Sequence, residues 1–508
     1  MQTNILEYLD QSVLRVPDKL AFGGVTEADG FTFAEVADCS QSIGSALLAK
    51  GMTKEPIVVF MDRHPSAVVA FLGVLQAGCY YVPIDQEMPR IRIDLILENL
   101  HPRAIICDET TLEIAKTFSF EGELLLFHDL KDARINDMTL AWARENTLDI
   151  DPAYVFFTSG STGIPKGVAG SHRALIGYIE HLSDILAFDE DTVFANQTPL
   201  YFDASMKDIF PTLKFGATAY IVPKTIFKFP MKVLEFLEEK KINTLNWVVS
   251  ALTMLSAFGA LQEAPPTHLR TVSFVGEVFP VKQFNIWKRT LPDVHFTNLY
   301  GPTECTGVCC YYHVDREFEP GEAIPIGRPF PNSQILLLTD QNTLAAPGEQ
   351  GEICVRGTCL SLGYINDAER TAAAFVQNPL NNSWPELIYR TGDIGRYNED
   401  GELMFVSRKD FQIKHMGHRI ELGEIEANVN LIDAVKSAGC IYDQEKSKII
   451  LFYVGDISEK DLKEDLKLKL QRYMLPNTIK QLEAMPLTAT GKINRVLLKE
   501  NYLKERKK

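Results

Sequence analysis

A chain of 508 residues is too long for a single hydrophobic core and predicts two or three domains. Its 46% hydrophobic and 23% charged residues are those of an ordinary soluble globular protein. A net charge of −16 argues against a nucleic-acid backbone or an anionic membrane surface as partner.

The N-terminal "MQTNILEYLDQSV" has no basic region followed by an apolar run, so no signal peptide is expected. Up to about residue 225, helical segments alternate with short apolar strands: "PIVVFM", "YYVPI", "AIIC", "ELLLF", "YVFFT" and "TAYIV". Such alternation predicts layered α/β structure with parallel strands. The most apolar stretch, 67–84, carries Gln76, two glycines and a proline, and reads as a buried helix, a glycine turn and a strand rather than a membrane span. A second α/β stretch follows, with "TLNWVV" and "TVSFVG" as strands and "VKQFNIWKRTL" as a helix.

From about residue 325 the pattern turns to strands and glycine turns ("SQILLLTD", "GEICVRG", "ELMFVSR"), a β-rich subdomain. After it come "KIILFYVG" and the amphipathic "EKDLKEDLKLKLQRYM", read as a strand and a helix of a separate small domain. The expected division is 1–407 for an N-terminal core and 408–508 for a C-terminal domain, a multi-domain α/β (α+β) chain. The nine cysteines, at 39, 79, 107, 305, 309, 310, 354, 359 and 440, offer no paired CxxC and no zinc spacing. They read as reduced thiols of a cytoplasmic protein, with Cys309 and Cys310 as two small buried strand residues.

The stretch "FFTSGSTGIPKGV", 156–168, carries the chemistry first. An apparent strand leads in and "VAGSHRALIGYIEHL" leads out like a helix, so its N–H groups and hydroxyls suit an anion backed by a helix dipole. A Walker loop fails, because Lys166 is followed by Gly167 where a magnesium-binding Ser or Thr is needed.

"TSGSTGIPKG" resembles instead the signature of the AMP-forming adenylating enzymes: acyl-CoA synthetases, luciferases and the adenylation domains of nonribosomal peptide synthetases. Six further signatures, the first before this loop and five after it, stand in that family's order: "CYYVPID", "NLYGPTE", "GEICVRG", "YRTGD", "SRKDFQIKHMGHRIELGEIE" and "LTATGKINR". Within the family the chain is most similar to the amino-acid-activating branch, by "LYFDAS" and the terminal "TGKINR". Its length and spacing resemble the D-alanine–carrier protein ligases.

The resemblance implies two half-reactions. A carboxylate attacks the α-phosphorus of ATP, releasing pyrophosphate and leaving an acyl-adenylate; a phosphopantetheine thiol, expected on a separate carrier protein, then takes the acyl group and releases AMP. It assigns Thr158, Ser159, Gly160, Ser161, Thr162, Gly163 and Lys166 to the β- and γ-phosphates, and Thr303 and Glu304 to catalysis, with Glu304 holding Mg²⁺. Asn298 and Tyr300 are assigned to adenine, Gly301 to the nucleotide site, Asp393 to the ribose hydroxyls, and Arg408 to ribose or phosphate. Lys492 would bridge the attacking carboxylate and the α-phosphate, on a domain that swings about a hinge at Asp410.

The amino-acid pocket is expected to be lined by Asp203, Ala204, Lys207, Asn246, Ser273, Val275, Leu299, Gly307 and Val308, with Asp203 binding the α-ammonium. Lys207 and Val275 depart from the resembled group. An inward Lys207 needs a carboxylate or several acceptors, which suits an acidic or amide side chain on the substrate. Alternatively it pairs with Asp208 or another acid at the rim. The runner-up function is an acyl- or aryl-CoA synthetase, against which Asp203 speaks.

Overall fold

The computed structural model describes residues 2–160, 164–409, 411–487 and 493–506. Five residues singled out above, Ser161, Thr162, Gly163, Asp410 and Lys492, lie outside the described residues. The chain forms two compact units. One comprises Met1–Gln86, Leu97–Phe157 and Gly167–Lys409; the other comprises Glu87–Ile96, Thr158–Lys166 and Asp410–Lys508.

Three sheets build the larger unit. The first is seven-stranded and contains the parallel strands Pro56–Phe60, Tyr80–Pro83, Ala104–Cys107, Glu123–Leu126 and Pro152–Thr158. Apart from the edge strand Glu123–Leu126, which is only half-buried, these strands are almost continuously buried, as parallel strands covered on both faces require. Between the first two strands the chain forms a helix, Pro65–Gln76, started by His64 as N-cap and Pro65 in its first turn. All of its residues but Ser66 are buried, so the apolar stretch is a core helix.

The second sheet has nine strands, six of them parallel: Leu20–Gly23, Val193–Asn196, Thr218–Ile221, Thr244–Val248, Thr271–Val275 and His295–Tyr300. The third is antiparallel, from Ser333–Leu338, Gly351–Gly357, Phe375–Gln377, Leu387–Tyr397 and Leu403–Arg408. In the smaller unit a hairpin, Gln412–His415 with His418–Glu421, turns through Met416 and Gly417, both with positive φ (52° and 79°). A three-stranded sheet there packs with the helices Leu422–Asn430 and Glu459–Lys469. That second helix stops earlier than its sequence pattern suggests. Leu470 is extended, and Arg472–Met474 is a separate 3-10 turn.

One sequence expectation is corrected. The Gly/Ser loop is followed by a strand, Lys166–Ser171, and the helix begins only at His172 and runs to Leu186. "KGVAGS" has almost no β-branched or aromatic residue, but its neighbours supply the bulk. A Cβ on Gly167 would meet Ile365, Phe157 and Val155 at 2.7–2.9 Å, and one on Gly170 would fall 2.0 Å from the Tyr154 ring.

Buried His172 accepts the Ile5 amide proton at Nδ1 (3.3 Å). Burial, aided by Arg144 and opposed by Asp151 and Asp149, depresses its pKa to about 4. The unfolded chain, titrating near 6.5, therefore binds more protons than the fold between those values, and stability falls as pH drops through that window. His172→Gln is expected to remove about 2 kcal/mol of the stability lost between pH 7 and pH 5, read from denaturation midpoints at both pH values.

Candidate active site

Asp203 opens a 3-10 turn, Asp203–Ser205, that leads into the helix Met206–Phe215 and stops at Gly216 (φ +67°). Ala204 lies in the same turn. The Asp203 carboxylate is partly buried; burial raises its pKa, while hydrogen bonds from the Thr303 hydroxyl and the Ala204 amide and the Lys207 charge oppose this. Gly307 stands beside it with φ +89°. A Cβ there would lie 3.6 Å from Asp203 Oδ2 and 3.9 Å from the Tyr178 hydroxyl, so glycine both permits the backbone and keeps the space open. The Tyr178 hydroxyl is itself buried without a hydrogen-bond partner among the described residues. Val275, Leu299 and Val308 belong to the same buried apolar cluster as Tyr178, and Val275 faces Leu299 in register on adjacent strands.

Lys207 is 0% exposed, not a rim residue. Its Nζ is buried with no hydrogen-bond partner among the described residues. Asp208, next in sequence, makes no close ion pair with it, and its carboxyl oxygens accept from two asparagine amides. Oδ2 accepts from Asn196 Nδ2 (2.9 Å) and Oδ1 from Asn246 Nδ2 (2.8 Å). Asn246 in turn accepts from the Ser273 hydroxyl (2.6 Å), its register partner on the adjacent strand. Burial pushes the Asp208 carboxyl up to about 7 and pulls the Lys207 ammonium down to about 8, opposed by their mutual attraction. Pro211 lies inside the helix and has no N–H to give the carbonyl of Lys207 one turn back; Asn246 Nδ2 approaches that carbonyl at 3.5 Å.

Thr303 and Glu304 sit in a second 3-10 turn, Thr303–Cys305, following the strand His295–Tyr300. Glu304 is 0% exposed, and its Oε1 accepts from the Tyr364 hydroxyl (2.7 Å). Gly301 is forced by packing: an added Cβ would sit 2.5 Å from Val308 Cα and 2.8 Å from the Cys309 nitrogen, both backbone. Cys305, Cys309, Cys310 and Cys359 pack together around this loop, and burial holds the Cys305 and Cys310 thiols well above their ordinary range. All nine cysteines are free thiols.

Asp393 lies buried on the strand Leu387–Tyr397. Its Oδ1 accepts from Arg408 Nη1 (2.6 Å), its Oδ2 from the Tyr300 hydroxyl (2.5 Å), and its amide donates to Thr391 Oγ1 (2.9 Å). Asn298, two residues before Tyr300 on its strand, donates to the Pro325 carbonyl (2.7 Å). The structure thus joins Tyr300, Asp393 and Arg408 in one hydrogen-bonded group.

Thr158, Ser159, Gly160 and Lys166 belong to the smaller unit. The Thr158 hydroxyl is buried without a partner among the described residues. Ser159 Oγ donates to the Arg419 carbonyl (2.5 Å), and the Gly160 amide donates to Glu424, whose carboxylate also pairs with Arg92 (2.6 Å). Burial raises Glu424 to about 6 despite these bonds. The loop runs on into a strand, Lys166–Ser171, rather than directly into the helix that follows. The helix His172–Leu186 has its own cap, Ser171 Oγ accepting from the Ala174 amide (3.2 Å).

Four contributors escaped the sequence reading: Asn196, Tyr178, Arg63 and Tyr364. Arg63 Nη2 donates to the Asn196 carbonyl (2.5 Å). Asn196 carried a usable signal, a polar residue ending an apolar parallel strand, where α/β sheets bind their ligands. Tyr178 and Tyr364 carried none, each being one aromatic among many.

The profile of the AMP-binding enzyme family matches residues 9–365. Zwittermicin A synthase ZmaJ of Bacillus cereus is 32% identical over 517 residues, 98% of this chain and 95% of that protein. Tyrocidine synthase 3 of Brevibacillus parabrevis is 32% identical over 97% of this chain, which spans only 7% of that protein's length. Among solved structures, NpsA-ThdA, an artificially fused adenylation–PCP di-domain NRPS from Klebsiella oxytoca, superposes with TM-score 0.81 at 22% identity, covering 94% of each chain. The order of the seven signatures, the fold they sit on and these matches agree: the chain belongs to the AMP-binding enzyme family, the AMP-forming ligases.

Proposed function

We propose that the protein activates an amino acid as its aminoacyl-adenylate and then passes the acyl group to the phosphopantetheine thiol of a carrier protein. The carrying observation is Asp203, a partly buried carboxylate facing the space that Gly307 leaves open, against the apolar Val275, Leu299 and Val308. An α-ammonium in that space gives Asp203 its counter-ion. A fatty or aryl acid would bring no ammonium to that carboxylate.

In the first half-reaction a substrate carboxylate oxygen bonds to the α-phosphorus and the bond to pyrophosphate breaks. In the second a thiolate attacks the acyl carbon and AMP leaves. Neither step needs a strong base, so rate comes from positioning and charge stabilisation. Asp393, oriented by Tyr300 and Arg408, accepts the ribose hydroxyls, and Asn298 reads the adenine edge. Thr158, Ser159, Gly160 and Lys166, with Ser161, Thr162 and Gly163, hold the leaving pyrophosphate.

Among the described residues no group of three or more His, Cys, Asp or Glu side chains could hold a metal ion. A single buried carboxylate, Glu304, nonetheless fits Mg²⁺, which takes most of its ligands from phosphate and water. Bound there, Mg²⁺ would neutralise charge on the departing pyrophosphate. Tyr364 then acts by orienting Glu304. Tyr364→Phe is expected to lower kcat about tenfold and to raise the Mg²⁺ concentration needed for half-maximal rate, with thermal stability little changed. A Mg²⁺ titration of both proteins checks this.

The resemblance to D-alanine–carrier protein ligases is one version of this reading, and a peptide-synthetase-type adenylation enzyme the other; Lys207 favours the second. Pyrophosphate exchange into ATP, scanned over D- and L-amino acids, tests the proposal. Stimulation by a fatty or aryl acid and by no amino acid overturns it in favour of an acyl- or aryl-CoA synthetase.

A further inference from the structure

Lys207 is a buried ammonium that the protein leaves without a hydrogen-bond partner among the described residues. Side chains of this kind are rarely buried unless paired, because the cost of removing an ammonium from water is recovered only through an acceptor. Asp203 and Asp208 are the acids whose charge it feels. Asp208 is tied down by two asparagine amides, and burial raises its carboxyl well above the ordinary range. Asp203 is the carboxylate assigned to the α-ammonium. Neither acid hydrogen-bonds the ammonium among the described residues, so an acceptor brought by the ligand would complete it.

We propose that the amino acid activated here is an α-amino dicarboxylic acid, whose side-chain carboxylate accepts from the Lys207 ammonium. This rests on the amino-acid reading of the site and deepens it by naming the substrate class. The carboxylate brings two oxygens and a full negative charge to a cation with three donors, the strongest pairing open to it. A carboxamide would answer one donor and leave the charge uncompensated. An aliphatic side chain would leave both unmet, and a cationic one would add repulsion. Asp203 at one end and Lys207 at the other then sort the two ends of the substrate by opposite charge, with the carboxylate at Cα left for the phosphorus.

Pyrophosphate exchange is the test, run with wild type and Lys207→Met on aspartate, glutamate and 2-aminoadipate. The comparison set is glutamine, methionine, norleucine and ornithine. Wild type is expected to turn over one of the acids with at least about tenfold higher kcat/KM than any comparison amino acid. Lys207→Met should lose about a hundredfold or more on that acid and gain on norleucine or methionine, while melting no lower than wild type, since it replaces a buried charge by a side chain of similar volume. Lys207→Glu should favour ornithine over the acids. Preference of wild type for a carboxamide or an aliphatic amino acid overturns the proposal and leaves amino-acid adenylation standing. An unchanged acid-to-neutral ratio in Lys207→Met also overturns it. Exchange with no amino acid overturns the underlying reading as well.

Discussion

Asp203→Asn is expected to cut kcat/KM for amino-acid-dependent pyrophosphate exchange by about a hundredfold to a thousandfold. Losing one partner of a desolvated charge pair costs about 3–4 kcal/mol, and each 1.36 kcal/mol is a factor of ten. Asparagine keeps the shape and one acceptor for the Thr303 hydroxyl and the Ala204 amide, and it removes a carboxylate that burial already disfavours. The variant should therefore fold as well as the parent. The diagnostic comparison is between an amino acid and the same acid without its amine. The first should lose the full factor in Asp203→Asn, and the second, which brings no ammonium, should lose little or gain. Equal losses on both would show that Asp203 supports the loop rather than the substrate.

Lys492→Ala is expected to slow adenylate formation by about a hundredfold to a thousandfold or more, the scale of removing one preorganised charge from a transition state that spreads negative charge over phosphate oxygens. Transfer from supplied aminoacyl-adenylate to a carrier thiol should be largely spared. The asymmetry follows from the proposed division of labour, in which this lysine serves only the phosphorus chemistry and the smaller domain turns about Asp410 before the thiol arrives. Measuring the halves separately, by pyrophosphate exchange and by thioester formation from purified adenylate, decides the matter. Comparable loss in both halves would contradict the swing.

The sheets were legible wherever strands are Val/Ile/Phe-rich, as in "PIVVFM" or "TLNWVV", because burial on both faces leaves an unbroken apolar run. The strand Lys166–Ser171 was not legible, since its bulk comes from Tyr154, Phe157 and Ile365 packed against its glycines. That miss matters for the site, because it replaces a helix N-terminus behind the loop with a strand.

Residue types in the site were readable from motif order, but their partners were not. "NLYGPTE" names Tyr300 and Glu304; that Tyr300 bonds Asp393, 93 residues on, and that Glu304 is oriented by Tyr364, 60 residues on, are products of folding. For Lys207 the sequence left two environments open, an inward cation or a rim ion pair. Burial and the two asparagine clamps on Asp208 speak for the first.

Pro211 carries a consequence for how this enzyme can change. By withholding an N–H from the Lys207 carbonyl, it leaves that carbonyl to Asn246 on the neighbouring strand, so the backbone at 207 is anchored to the sheet as well as to its own helix. A codon change at position 207 can then exchange the proposed recognition group while its mounting stays put. Selectivity in such a site can drift in single steps, each variant inheriting a working adenylation apparatus from the last.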